Sequence, residues 1–129
     1  MQAKLSVLLT VVILVTWVPV NAHHSFAAVF DVNTSVAVSG TVTKVEWMNP
    51  HAWIYIEVED GDGESKDWAF ELGSPNGLMR RGWSRKSVQV GDAISVTGYR
   101  ARDGSLRGNV ISIVLADGTE LRGLSSRDK

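Results

Sequence analysis

Cysteine is absent from the 129 residues, so no disulfide framework, thiolate metal site or cysteine nucleophile is available. The fold must be held by ordinary burial. An excess of one charge is missing too: 13 Lys and Arg against 14 Asp and Glu leave a net charge of −1, with no long run of either sign. Phosphate binding ordinarily shows as a basic stripe, so nucleic acid is not an expected partner. Histidine is scarce, at His23, His24 and His51 only. Only one long hydrophobic run occurs, residues 5–18, broken by Ser6, Thr10 and Thr16.

That run is shorter than the roughly 20 apolar residues a membrane crossing needs. Lys4 precedes it, and Pro19 with Val20-Asn21-Ala22 follows it. The pattern is that of a secretory signal peptide over residues 1–22, cleaved after Ala22. An uncleaved anchor is the alternative, because one Lys is a thin positive region and Trp17 suits a membrane interface. Cleavage would leave a periplasmic or secreted protein, residues 23–129, with no stable membrane insertion. Without Lys4 the charged residues are 12 basic and 14 acidic, a balance of −2. A chain of that length suits a single domain with one core.

Residues 23–35 read as an amino-terminal segment, with Phe26, Val29 and Phe30 apolar enough to dock and a turn cluster from Asp31 to Ser35. The domain proper spans residues 36–124. Val36, Val38, Gly40 and Val42 alternate as a strand, and the phase slips before Val45 and Trp47. That slip predicts a β-bulge near Thr43-Lys44, with Gly40 easing a bend. Pro50 ends this strand. In the second strand Ile54, Ile56 and Val58 face one way, Trp53, Tyr55, Glu57 and Glu59 the other. The turn Asp60-Gly61-Asp62-Gly63 leads to a third strand, with Trp68, Phe70 and Leu72 opposite Asp67, Ala69 and Glu71. Ser74 as N-cap and Pro75 at the first helical position predict a short helix that stops at Gly82, with Leu78 and Met79 toward the core. Strand four carries Ile94 and Val96 and bends at Gly98. Strand five lies around Val110 to Leu115, a last short strand covers Thr119 to Leu121, and residues 125–129 form a frayed tail. The expected fold is therefore mainly β: a small five- to six-stranded OB-fold-like barrel, with one short helix between strands three and four. A small open sandwich is the alternative.

Several segments also carry a resemblance: His23-His24-Ser25-Phe26, Asn49-Pro50-His51-Ala52-Trp53, the run Trp68-Ala69-Phe70-Glu71-Leu72-Gly73-Ser74-Pro75-Asn76, Arg80-Arg81-Gly82-Trp83 and Gly98-Tyr99-Arg100-Ala101. The chain resembles a family of small exported bacterial proteins catalogued as a domain of unknown function. The likeness runs over most of the mature chain and implies no activity and no site residues.

Cleavage after Ala22 would make His23 the amino terminus, offering an amine and an imidazole from one residue to a single metal. A further imidazole from His24 or His51 completes an all-nitrogen set, for which copper is the ion favoured by the affinity order. The arrangement resembles the amino-terminal histidine brace of copper monooxygenases, in its terminal residue only. Met48, three residues before His51, offers a soft thioether to copper(I) or packs. The opposing interpretation is a solvated terminus and a turn histidine bonded to the backbone. Trp53 and Tyr55 lie on the face where OB barrels stack ligands, unless the helix or Phe26 and Phe30 cover them. Arg80, Arg81, Arg85 and Lys86 form a basic cluster that is solvated or touches anionic lipid or glycan. Neither paired carboxylates nor a phosphate cradle nor a nucleophile triad stands out, so binding is favoured over catalysis. The expected function is an exported periplasmic binding module that holds copper or docks a periplasmic protein partner. Two alternatives remain open: a structural or protein-interaction OB domain without metal, and a copper-dependent oxidase.

Overall fold

A computed structural model describes residues 23–124 of the chain, with side chains described from Phe26. The predicted signal peptide and the predicted frayed tail lie outside the described residues. Element order is α1 (His23–Val29), β1 (Phe30–Glu46), β2 (Trp53–Glu59), β3 (Ser65–Glu71), α2 (Pro75–Arg80), β4 (Ala93–Ala101), β5 (Arg107–Leu115) and β6 (Glu120–Arg122). Among the described residues no helix is long and apolar enough to cross a membrane.

Period-two alternation makes the strands, and burial follows it. Ile54 and Ile56 of β2 are enclosed with Trp68 and Phe70 of β3 and with Leu72 just after it, while Trp53, Tyr55, Ala69 and Glu71 stand outward. Val42, Val96, Val110 and Ile113 complete the same core. Antiparallel ladders join β2 to β3, β1 to β2, β1 to β4 and β4 to β5. A parallel pairing of residues 69–71 with residues 107–109 closes the ring, and β6 extends it from β5. Closure removes the sheet edges that so small a sheet would otherwise expose.

One long strand can serve both halves of the barrel because it bends. The β1–β2 register shifts between Val42 and Lys44, the bulge that the phase slip predicts. At Gly40 a Cβ would stand 2.2 Å from the Glu57 carbonyl oxygen, so only glycine lets β2 cross so closely. Gly98 plays the same part in β4, where the β4–β5 register shifts and a Cβ would meet the Asn109 carbonyl at 2.4 Å.

α2 is capped as its sequence requires: the Ser74 hydroxyl accepts from the Gly77 amide at 3.2 Å, and Gly82 follows at φ +91°. Leu78 is fully buried. Met79 is 49% exposed, which corrects its expected place in the core. A six-residue helix has a narrow inner stripe, and Leu78 with Pro75 fills it. The chain also differs from expectation at its start. Residues 23–29 are helical, and β1 begins at Phe30 rather than at Val36. The turn chemistry of Asp31 is present, since its carboxylate accepts from the Asn33 amide and the Thr34 hydroxyl. It makes a second irregularity inside β1, where the β1–β4 register shifts between Asp31 and Ser35, and not a separate loop.

Candidate functional site

The outer face of β2 and β3 gathers most of the side chains with chemistry. Trp53 pairs with Glu71 across the β2–β3 ladder, and Tyr55 pairs with Ala69. Ala69 is small enough to leave the two rings open on that side. Phe26 does not cover them: it packs on Phe30 and Tyr99, at centroid distances of 5.4 and 6.0 Å. Cations do. The Arg107 guanidinium lies 5.3 Å from the Trp53 centroid, and the Lys44 ammonium 5.1 Å from that of Tyr55. Each cation has a carboxylate near it. Lys44 pairs with Glu46, which also accepts the Tyr55 hydroxyl at 2.9 Å, and Arg107 acts electrostatically on Glu71. The lysine and the phenol together hold the Glu46 carboxyl below its ordinary pKa.

His51 stands at the entrance to β2, just outside the bonds from the Ala52 amide to the Gly73 carbonyl and from the Leu72 amide to the Ala52 carbonyl. Its Nδ1 lies 2.8 Å from Glu71 Oε1 and 3.2 Å from the Leu72 carbonyl oxygen. Leu72 offers only an acceptor, so Nδ1 carries the proton and Nε2 carries the lone pair when the ring is neutral. Glu71 accepts in addition from Asn109 Nδ2 at 3.4 Å. Burial pushes the Glu71 carboxyl above its usual pKa, against the opposing charges of His51 and Arg107. Asn109 is 1% exposed and its Oδ1 has no partner. An amide committed to a carboxylate on one side and left unpaired on the other is an expensive arrangement for a barrel wall.

The structure thus brings His51, Trp53 and Tyr55 onto one face. Met48 is 50% exposed in the β1–β2 loop. The backbones of His23 and His24 open α1, and their side chains lie outside what the structure describes. Among the described residues no three His, Cys, Asp or Glu side chains form a metal-holding group. Sequence reasoning missed Glu71, Arg107 and Asn109 as site residues. Glu71 was legible in principle, because the β2–β3 hairpin register sets it opposite Trp53. Arg107 and Asn109 arrive through the parallel β3–β5 pairing, which leaves no local signal.

A ring of strands in the order β1-β2-β3-β5-β4, with a helix between β3 and β4, defines the class as an OB-fold. Within that class the chain belongs to DUF6152, a family of unknown function whose model matches residues 11–110. None of the curated proteins matches it. Among solved structures it is similar to the mitochondrial single-stranded DNA binding protein Rim1 of S. cerevisiae, at 13% identity and a TM-score of 0.51. The likeness covers 64% of this chain and 93% of that one, and it is a likeness of fold. It corrects one expectation. Nucleic acid was set aside as a partner for want of a basic stripe, yet this fold occurs in a protein described as binding single-stranded DNA. OB domains hold single strands by stacking bases on aromatic rings beside a few cations. A ring and a cation brought together from separate strands, such as Trp53 and Arg107, leave no charge run in the sequence.

Proposed function

We propose that this chain is an exported binding module whose ligand surface is the outer face of β2 and β3, centred on Trp53 and Tyr55. The observation that carries the proposal is the placing of two half-buried rings side by side on an outer barrel face, each with a cationic side chain over it. Stacking on such rings is worth about 1–3 kcal/mol per base or comparable flat group. The face therefore suits a ligand built of planar units, which Arg107 and Lys44 can swing aside to admit and then flank. Export is supported by the charge, apolar run and small-residue site of residues 1–22. A short oligothymidylate is the first probe, because Rim1 shares the fold. Binding should quench tryptophan fluorescence, and Trp53→Ala should weaken it about tenfold or more. Quenching that survives in Trp53→Ala and Tyr55→Ala would place the ligand elsewhere on the protein.

A second reading, copper held by His51 with the amino-terminal histidines, is favoured by one observation. Metal-bound imidazoles almost always donate their other ring nitrogen to a carboxylate or a carbonyl, and His51 Nδ1 has both. Nε2 would then be the ligand nitrogen, with the His23 amine and imidazole, His24 and the Met48 thioether as the remaining candidates. Protein beginning at His23 should bind copper(II) more tightly than protein carrying one extra residue before it. His51→Ala should weaken binding, and Glu71→Gln should weaken it about tenfold through the lost orientation of the ring. Equal affinity across these proteins in a competition titration would rule the reading out.

A further inference from the structure

Beyond the aromatic face, β2 continues into a groove that the proposed function does not use. Its floor is made by outward positions of β1 and β4 at the bend: Ser39, Thr41, Ala93 and Ser95, none larger than threonine. Ladder register sets Ser39 beside Ser95 and Thr41 beside Ala93, and the two serine hydroxyls satisfy each other at 2.7 Å. One wall is Glu57 and Glu59 of β2; the other is residues 114–116, with Val114 40% exposed. The groove is open to solvent and offers a volume of about 540 Å³. Neither glutamate has an ion-pair or hydrogen-bond partner among the described residues, and the lining contains no cation. Asp67 lies directly opposite Glu57 in the β2–β3 ladder and adds to the negative field. Like charges opposite each other in a sheet are destabilising, so this wall costs the free protein something.

We infer that this groove binds an extended cationic peptide segment, one with Lys or Arg at alternate positions. Glu57 and Glu59 are two residues apart on a strand, which sets their carboxylates roughly 7 Å apart on one side. An extended segment lying along them repeats its own side chains at the same interval, so i and i+2 cations meet both carboxylates in register. The residues between point to the small floor or to the apolar wall at Val114. The inference stands independently of the ligand assigned to Trp53 and Tyr55.

The test uses the full chain and a fluorescein-labelled ten-residue peptide alternating Lys and Thr, followed by anisotropy at low salt. The same composition with its lysines in adjacent pairs, two threonines between one pair and the next, has no two lysines at i and i+2 and is the control. The alternating peptide should bind more tightly than the paired one. Glu57→Gln with Glu59→Gln should weaken it about three- to tenfold, as the loss of two exposed charge pairs allows. Both substitutions are at exposed positions, and unchanged circular dichroism checks the fold. Trp53→Ala should leave the affinity unaltered, which separates this groove from the aromatic face. Equal binding of the two peptides, or no loss in the double variant, overturns the proposal. So does a self-association in sedimentation that the double variant abolishes, because the occupant would then be a second copy of the chain.

Discussion

At the scale of single residues, the pair His51–Glu71 has the clearest consequence for titration. Burial raises the folded-state pKa of Glu71, so the native protein binds that proton more tightly than the unfolded chain does. Its contribution to stability is present in full below the ordinary carboxyl pKa of 4.5 and is lost as pH rises through the raised folded value. Asp31, Asp60, Asp103 and Asp117 run the other way. Their backbone and side-chain donors lower their pKa values, and they lose stability as pH falls. Glu71→Gln isolates the first effect. Compared with the wild type, the variant should gain relative stability between pH 4 and pH 7, read as the difference in urea midpoints at the two values. A difference that stays constant across that interval would mean that Glu71 carries no burial penalty. The sequence shows by its alternation that Trp53 and Tyr55 share the outward face of β2. It could not show that Glu71 accepts from His51, because that bond joins residues 20 apart through the end of a ladder.

At the scale of elements, local rules were mostly obeyed and therefore mostly legible. Alternation gave the inner and outer faces of β2 and β3, and the phase slip gave the bulge in β1, because burial on one face makes register costly to change. Residues 23–29 were not legible as a helix. Seven residues offer barely two turns of pattern, and helicity there depends on docking Phe26 against Phe30 and Tyr99. α2 is as short but carries its own signals in Ser74, Pro75 and Gly82. Ser74→Ala should cost about 1 kcal/mol, since the Gly77 amide loses its acceptor. Urea unfolding with an unchanged m-value is the measurement. No loss would mean that α2 is held by Leu78 and by the bond from Trp83 Nε1 to the Arg122 carbonyl, without help from its cap.

At the scale of the whole molecule, what the sequence could not state is how the ring closes. Parallel pairing of β3 with β5 depends on Gly108, where a Cβ would come within 2.7 Å of the Phe70 ring, and on the bends at Gly40 and Gly98. Each glycine is visible in the sequence, but the contact that requires it is made by a distant strand. Closure fixes an inside and an outside for β2, and both functional proposals depend on that distinction. The most direct test compares two neighbours on this strand. Ile56 is fully buried, so Ile56→Ala should cost about 2–5 kcal/mol through lost transfer energy and the cavity left behind. Tyr55 stands outward with its hydroxyl on Glu46, and Tyr55→Ala should cost less than half as much in urea unfolding. A larger loss for Tyr55→Ala than for Ile56→Ala would contradict the account, because the aromatic face would then be core and no ligand could reach it.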